Sequence, residues 1–479
     1  MIIKNKQLLK QVFQAVNAIA AETDNPEHKI LLSGADAVMN ELLLQEDVDY
    51  YIRLFKQGVD LIGKSGTQTD SSSFAEVTTS SRPDVINAAL VQVQQALTEI
   101  VAKTDSKTNK DYLNKVCDWQ ESLYHRQMVR DTEVLHRKPL NRDTLFAYLQ
   151  EKFPEWKNLR LTAFHPLPGG FSKTTILFET EDELNGHQSM VLRAEKKPSL
   201  LLYRGTDVAC ECAMMRFMER EGIPTIEPLW LEEDASKLGN RFLVTRRDMG
   251  ERRGANLGST APLPDELIED VLDVMVKMHS IRPEKNDPLV MQTHLPEWLH
   301  CKTVTECNRY YVTRFLRNYM DAAEILVPPT LERALQWLQE NVPESGAPAV
   351  IAHLDFGLNN LLFIGNSISA VLDWESSHLS DPAEDLLGAH PSLSEFISLE
   401  DFIARYEAKT GNAIGEYRIN YSRVAKYVIN TICFLRAEKM LDIDDSANID
   451  LSRLGIAYKG VFMVGLNNMI EAAEAAMGR

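Results

Sequence analysis

The sequence predicts an α+β protein in three successive parts. These are an all-helical N-terminal domain over 1–138, a small antiparallel β-rich lobe with one helix over 139–250, and a mainly helical lobe over 251–479. Three observations carry that reading. Apolar residues recur at helical spacing up to about residue 138. After "HRKPLNRD" at 136–143 the pattern changes to short β-branched and aromatic runs separated by Gly, Asn and Asp turns. From about residue 261 the helical pattern returns, broken by two short strands around Asn360 and Asp373.

The first part is built from amphipathic segments. "LLKQVFQAVNAIAA" sets Leu8, Val12, Val16 and Ile19 on one stripe, and "VDYYIRLFKQGVDLIG" repeats the pattern with Tyr51, Leu54 and Val59. The Ser-, Thr- and Gly-rich run at 65–84 has no period and reads as a loop. Pro83 and Asp84 then open "VINAALVQVQQALTEIVAK", and a further helix runs through "KDYLNKVCDWQESLYHRQMV". An antiparallel bundle of four or five helices is expected. It lies outside the motifs below, and is a candidate surface for a homodimer or a docked partner.

Bulk properties exclude some function classes. The 479 residues suffice for two or three domains. A net charge of −18 argues against a nucleic-acid backbone as the main partner, because phosphate binding needs clustered Lys and Arg. No apolar run approaches the roughly 20 residues of a membrane span, so no membrane partner is expected. The N-terminus reads as an amphipathic helix and not as a signal peptide. Cys117, Cys210, Cys212, Cys301, Cys307 and Cys433 are scattered, and "CEC" lacks the spacer of a zinc ligand pair. Free thiols in a reducing cytoplasm are expected.

The β-rich lobe contains the first candidate site. "PLPGGFSKTTILFE" is a strand, a double-Gly turn and a second strand. Gly169 and Gly170 permit close approach of the backbone to a ligand, and a run of bare N–H groups through Phe171 binds anions. Ser172, Lys173 and Thr174 add donors. The stretch is not a P-loop, since the Gly before Lys and the following helix are missing. On the next strand, "SMVLRAEKKP", Arg193 stands two residues past Val191, so both project on one face. A carboxylate at Glu211, on the helix "DVACECAMM", can pair with Arg193.

The more specific motif is "IAHLDFGLNNLLF" followed by "SISAVLDWE". Transfer of a phosphoryl group to a hydroxyl needs an acceptor for the proton and oxygens for the metal that neutralises the triphosphate. Asp355 can accept the proton, while Asn360 and Asp373 carry the hard oxygens that Mg²⁺ prefers. Each alone has a bland reading as a turn or cap residue. Together, and in order after the Gly-rich turn, Arg193 and Glu211, they point to one site.

From about 145 to 470 the chain resembles the aminoglycoside phosphotransferase family, whose fold is related to that of protein kinases. "PGGFSKTTILFE", "MVLRAE", "ACECAMMRFMEREGIPTIEPLW", "HLDFGLNNLLF" and "AVLDWESSHLSDPAEDLLG" carry the resemblance. It implies a bilobal kinase-like fold, ATP and Mg²⁺ as cofactors, Asp355 as the catalytic base, and Asn360 and Asp373 as metal ligands. It also implies that His353 orders the loop by hydrogen bonding, that Asp381 and Asp385 are structural, and that backbone near Thr245, Arg246 and Arg247 holds adenine at the hinge. Two residues depart from the pattern: Arg193 stands where Lys is frequent, and Lys173 where a small or amide residue is frequent. Lys196 is a lesser candidate for the phosphate-gripping cation.

The expected function is ATP-dependent phosphorylation of a hydroxyl on a small molecule. "LPEWLHCKTVTECNRYYVTRFLRNY", with Trp298, Tyr310, Tyr311 and Phe315, is the candidate acceptor lining and suits a lipophilic alcohol as well as an aminoglycoside. His279 reads as a core residue of its helix. One rival is a non-catalytic scaffold of the same shape that docks partners through the N-terminal helices, and the Asp355, Asn360 and Asp373 set argues against it. The other is a protein kinase. No Ala-Pro-Glu-like segment follows "LDWE", which disfavours a protein substrate.

Overall fold

The computed structural model describes residues 48–65, 83–104, 109–124, 140–167, 172–196, 199–202, 204–253, 264–441, 455 and 458–476. The stripe at Leu8–Ile19, most of the 65–84 loop, and Gly169, Gly170 and Phe171 lie outside the described residues. The order opens with helices α1 (Val48–Lys64), α2 (Pro83–Lys103), α3 (Lys110–Tyr124) and α4 (Arg142–Lys152). Strands β1 (Arg160–Leu167), β2 (Lys173–Asp182) and β3 (Gly186–Glu195) follow, then α5 (Val208–Arg220), β4 (Pro228–Glu232) and β5 (Phe242–Arg246). Next come α6 (Asp265–Ser280), α7 (Pro288–Gln292), α8 (Val304–Tyr310), α9 (Leu316–Ala323) and α10 (Pro329–Glu340). The last part holds β6 (Val350–Ala352), β7 (Leu361–Ile364), β8 (Ser367–Val371) and β9 (His378–Ser380), then α11 (Pro382–Leu393), α12 (Leu399–Thr410), α13 (Glu416–Leu441) and α14 (Lys459–Ala476).

By packing, the chain divides into two compact units. One gathers described residues of 1–134, 312–342 and 423–479, the other those of 135–311 and 343–422. The division is discontinuous. Segments 312–342 and 423–479, expected in the C-terminal lobe over 251–479, pack with the N-terminal helices instead. The reason lies in α10. Thr330, Leu331, Arg333, Ala334, Leu335, Trp337 and Leu338 are all buried, so this helix needs cover on every side. α2, α3 and α14 supply it. Arg333 donates to the side-chain oxygens of Asn114 (2.6 Å) and Asn467, and Gln336 donates to the Val101 carbonyl at 2.9 Å. In the same unit, Tyr51 and Leu54 of α1 are buried as expected, and the Trp119 indole N–H caps the Leu54 carbonyl at 2.7 Å.

The second unit bears the α+β, two-lobed architecture that the sequence predicts. Its sheet has the order β1-β2-β3-β5-β4, antiparallel throughout. One face is apolar: Ile176, Phe178, Met190, Leu192 and Val244 pack with Leu145, Tyr148 and Leu149 of α4. The opposite face carries Lys173, Thr175, Val191 and Arg193. β4 was missed by the sequence reading, and so was the pair β6–β9, which lies beside the expected hairpin β7–β8.

Candidate active site

The sheet register places the polar residues. Arg193 lies opposite Thr175 and Val191 opposite Leu177, so Arg193 and Val191 share a face as their spacing predicts. Lys173 is two residues before Thr175 and therefore joins that face. Thr174 shares the face of Ile176 and Phe178, and so points away from the expected ligand. Thr245, opposite Val191, is buried on the polar face.

Helix α5 delivers Glu211. Asp207 is its N-cap, accepting from the Ala209 N–H at 2.8 Å. Arg241 spans Asp207 and Glu195, each at 2.8 Å, and the Val208 N–H donates to Glu195 at 3.2 Å. These contacts fix the first turn of α5 to the ends of β3 and β5. Glu211, 1% exposed, then meets two cations: Arg193 Nη1 at 2.9 Å on Oε1 and Lys173 Nζ at 3.1 Å on Oε2.

The chain of charges continues. Arg193 Nη2 donates to Asp373 Oδ1 at 2.7 Å. Lys173 also contacts Glu375 Oε2, which accepts from the Ser172 hydroxyl at 2.7 Å. Burial works against ionising Asp373, but Arg193 and Lys173 outweigh it and hold the carboxyl below its usual range. Burial and the Asp373 charge push Glu375 upward. Lys173 is raised, because Glu211 and Glu375 overcome the desolvation of its ammonium.

The second half of the site is a strained loop. Leu354 has φ +70° and Asp373 has φ +64°, ψ +57°, a left-handed conformation that costs a non-glycine residue roughly 1–3 kcal/mol. Asp385, fully buried, holds the first of these by accepting from the N–H groups of His353 (2.8 Å) and Leu354 (2.5 Å). It also accepts from His279 Nε2 at 3.0 Å, while His279 Nδ1 meets the Tyr406 hydroxyl at 2.8 Å. His279 is thus a buried helix residue, as expected, with a supporting bond to the loop. Asp381 caps α11 at Ala383 (2.9 Å) and takes a two-pronged contact from Arg418 at 2.8 and 2.7 Å.

His353 ties the two halves together. Its Nε2 donates to the Leu372 carbonyl at 2.8 Å, and its Nδ1 accepts from the Asp355 N–H at 3.3 Å. The Leu372 N–H donates to the Asn360 carbonyl at 2.8 Å. Asn360 Nδ2 donates to both the backbone carbonyl (2.9 Å) and the Oδ2 (2.7 Å) of Asp355. With its amide nitrogen turned to Asp355, Asn360 has its side-chain oxygen on the other arm of the planar amide, leaving it as an acceptor.

Some expectations change on this geometry. The Lys173 ammonium, expected among the ligand-facing donors of the Gly-rich turn, is engaged by Glu211 and Glu375. The Arg246 and Arg247 N–H groups donate to Glu227 and Ser189 within the sheet, at 3.0 Å each, and so are not donors for adenine. Their side chains reach Glu227 (2.7 Å) and Glu179 (3.7 Å). The linker beyond the sheet begins at Asp248. Lys196 lies just past β3, and its N–H donates to the Ser172 carbonyl at 3.3 Å. Trp298 and Tyr311 are buried, stacked with His378 at 4.0 and 5.6 Å, so they are core and not acceptor lining. Tyr310 bonds Glu297 at 2.9 Å, and Phe315 belongs by packing to the first unit. Sequence reasoning missed Glu375 as a site residue. The only local signal was its place two residues after Asp373.

A bilobal fold with a cation–carboxylate pair on its sheet and an Asp–Asn loop tied to a further Asp defines a phosphotransferase class of site. Residues 163–425 match the phosphotransferase enzyme family, and the chain belongs to that family. It is 28% identical over 272 residues to acyl-CoA dehydrogenase family member 11 of Mus musculus, covering 54% of this chain and 32% of that protein. Acyl-CoA dehydrogenase family member 10 of Mus musculus is 30% identical over 207 residues, 42% of this chain and 18% of that protein. The chain thus matches about a third or less of the length of these relatives. A spectinomycin phosphotransferase solved with ADP and spectinomycin is 13% identical, with a TM-score of 0.46, over 70% of this chain and 99% of that one. Among the described residues no helix is long and apolar enough to cross a membrane.

Proposed function

We propose that the second unit is an ATP- and Mg²⁺-dependent phosphotransferase that moves the γ-phosphoryl group to a hydroxyl of a small molecule. One observation supports this above the others. Asp355 is held by Asn360 in a strained loop whose backbone is bonded to Asp385 and, through His353, to the residue before Asp373. That arrangement holds Asp355, the proton acceptor of this reading, against Asn360 and ties its loop to the segment that enters Asp373.

The residues present fit the metal. Among the described residues no cluster of three or more His, Cys, Asp or Glu is assembled to hold an ion. Mg²⁺ commonly takes one or two protein oxygens with waters and phosphate oxygens, and Asn360 and Asp373 supply two. Bound there, it would neutralise charge on the transferring phosphoryl group. In this reading Asp355 accepts the hydroxyl proton of the acceptor. Asn360 keeps the Asp355 carboxylate oriented through Nδ2, and Arg193, steadied by Glu211, offers a guanidinium toward the phosphates. Asp373, paired with Arg193 at 2.7 Å, would hold the metal together with the Asn360 side-chain oxygen. The matched relatives are far longer than the match, and no dehydrogenase activity is carried over from them.

The test is a screen of hydroxylated metabolites for ATP-dependent phosphorylation by mass spectrometry, run beside Asp355→Asn. Loss of a positioned base costs about 10²–10⁴ in rate. A product formed at equal rate by both proteins refutes the assignment of Asp355.

A further inference from the structure

We propose that Lys173 is a positioning residue: with Ser172 it clasps Glu375, holding the start of β2 on the segment that carries Asp373 and neutralising the carboxylate beside it. This rests on the phosphotransferase reading above. From sequence alone, a lysine that follows a double glycine would ordinarily be taken for a phosphate ligand, and the geometry points elsewhere. Lys173 is 1% exposed. Its nitrogen sits between Glu211 Oε2, at 3.1 Å, and Glu375 Oε2. The Ser172 hydroxyl meets the same Glu375 oxygen at 2.7 Å. Lys173, the first residue of β2, and Ser172 just before it therefore converge on one side-chain oxygen of Glu375, two residues beyond Asp373.

Charge counting shows what the clasp does. Glu211, Asp373 and Glu375 are three carboxylates, and Lys173 and Arg193 are two cations. Lys173 and Arg193 lie diagonally on one sheet face, since Lys173 stands opposite Glu195 and Arg193 opposite Thr175. They take opposite oxygens of Glu211, and then each takes one further carboxylate: Glu375 for Lys173, Asp373 for Arg193. Glu375 is therefore neutralised by Lys173, which it shares with Glu211, while the ion-pair partners of Arg193 are Glu211 and Asp373. Without Lys173, three buried carboxylates would compete for one guanidinium. Arg193 would be drawn back from the phosphates, and Glu375 would repel them. A buried carboxylate stripped of its partner is far more disruptive than the intact pair is stabilising.

The decisive feature is that the damage belongs to Glu375 and is repaired there. The experiment uses the full chain and titrates Mg²⁺ with a non-hydrolysable ATP analogue by calorimetry, beside thermal melts without nucleotide. Lys173→Met is expected to weaken analogue binding by about tenfold or more and to lower the melting temperature. Lys173→Arg, which keeps a cation, loses less than Lys173→Met. Glu375→Gln placed on Lys173→Met is expected to bring binding back to within about threefold of Glu375→Gln alone, since interacting residues are not additive.

Binding by Lys173→Met within twofold of wild type overturns the clasp, and so do simply additive effects in the double variant. If Lys173→Met does not fold, recovery of a folded, analogue-binding protein in the double variant supports the clasp. A double variant that still binds no analogue overturns it. If the wild type itself binds no analogue, the phosphotransferase reading fails, and the melts still judge the clasp. Recovery of the melting temperature by Glu375→Gln supports it, and no recovery overturns it.

Discussion

Replacing Asp385 by Asn isolates the group that holds the loop of Leu354 and Asp355 in its strained form. The carboxylate accepts from the N–H groups of His353 and Leu354 and from His279 Nε2. The amide keeps the shape but has one acceptor oxygen. Wherever that oxygen is placed, the NH₂ group faces a donor on the other side. One hydrogen bond to a charged acceptor is lost, worth about 1.5–3 kcal/mol, and one buried N–H is left without a partner, costing about 1–3 kcal/mol. Some relaxation reduces the sum, so the loop is expected to lose about 3 kcal/mol. That corresponds to an approximately 10²-fold rise in opening, at 1.36 kcal/mol per decade. Hydrogen exchange by mass spectrometry on a peptide spanning residues 351–363 reads this directly. Burial opposes ionisation of Asp385, but the His279 bond outweighs it and holds the carboxyl below its usual range. Its contribution is therefore present above the ordinary carboxylate pKa and is lost only as pH falls through the lowered one. Exchange near neutral pH thus compares a fully ionised wild type with the neutral amide. Adding Leu354→Gly, which takes the φ of +70° without penalty, should return about 1–2 kcal/mol. A change in exchange below threefold in Asp385→Asn, or no recovery with glycine, refutes the reasoning.

Asp373→Ala should weaken Mg²⁺-dependent binding of an ATP analogue, while binding without metal changes much less; equal losses in both titrations, read by calorimetry, would remove Asp373 from the metal. At the crossing of α1 with its neighbours, a Cβ on Gly58 would stand 2.3 Å from Val93 and 2.9 Å from the Trp119 ring, so Gly58→Ala should destabilise by about 1–3 kcal/mol, with partial rescue by Val93→Ala in thermal unfolding. Burial lowers the pKa of His294 from 6.5 to about 4. Below pH 6.5 the unfolded chain takes up a proton that the folded one refuses, so about 3 kcal/mol of stability should be lost as pH falls from 6.5 to 4 and no more below that. His294→Gln should flatten that slope in urea unfolding, and an unchanged slope would clear His294 of responsibility.

Local spacing explains what could be read without a structure. Asp355 and Asn360 stand five residues apart, and their contact is a short-loop contact, so the spacing alone brings them together. Arg193 and Val191 share a face because strand residues alternate, which no tertiary contact is needed to know. Helical period likewise located α1 with Tyr51 and Leu54 inward, and the change of period after residue 138 located the sheet. Adjacency across the sequence could not be read in this way. The contact of Lys173 with Glu375 spans 202 residues, and a lysine in a polar turn looks outward until a carboxylate is found behind it. Thr174 was credited as a donor because composition does not reveal the face, whereas the register with Ala194 does. Trp298 and Tyr311 looked like a lipophilic lining because aromatic residues serve cores and pockets equally well, and only the stacked His378 shows which. The same limit applies to the larger division. Residues 312–342 and 423–479 follow the kinase-like pattern in order, so a linear reading assigns them to its last lobe. The all-round burial of α10 gives them to the N-terminal helices, because apolar surface is satisfied by whatever covers it, irrespective of distance along the chain.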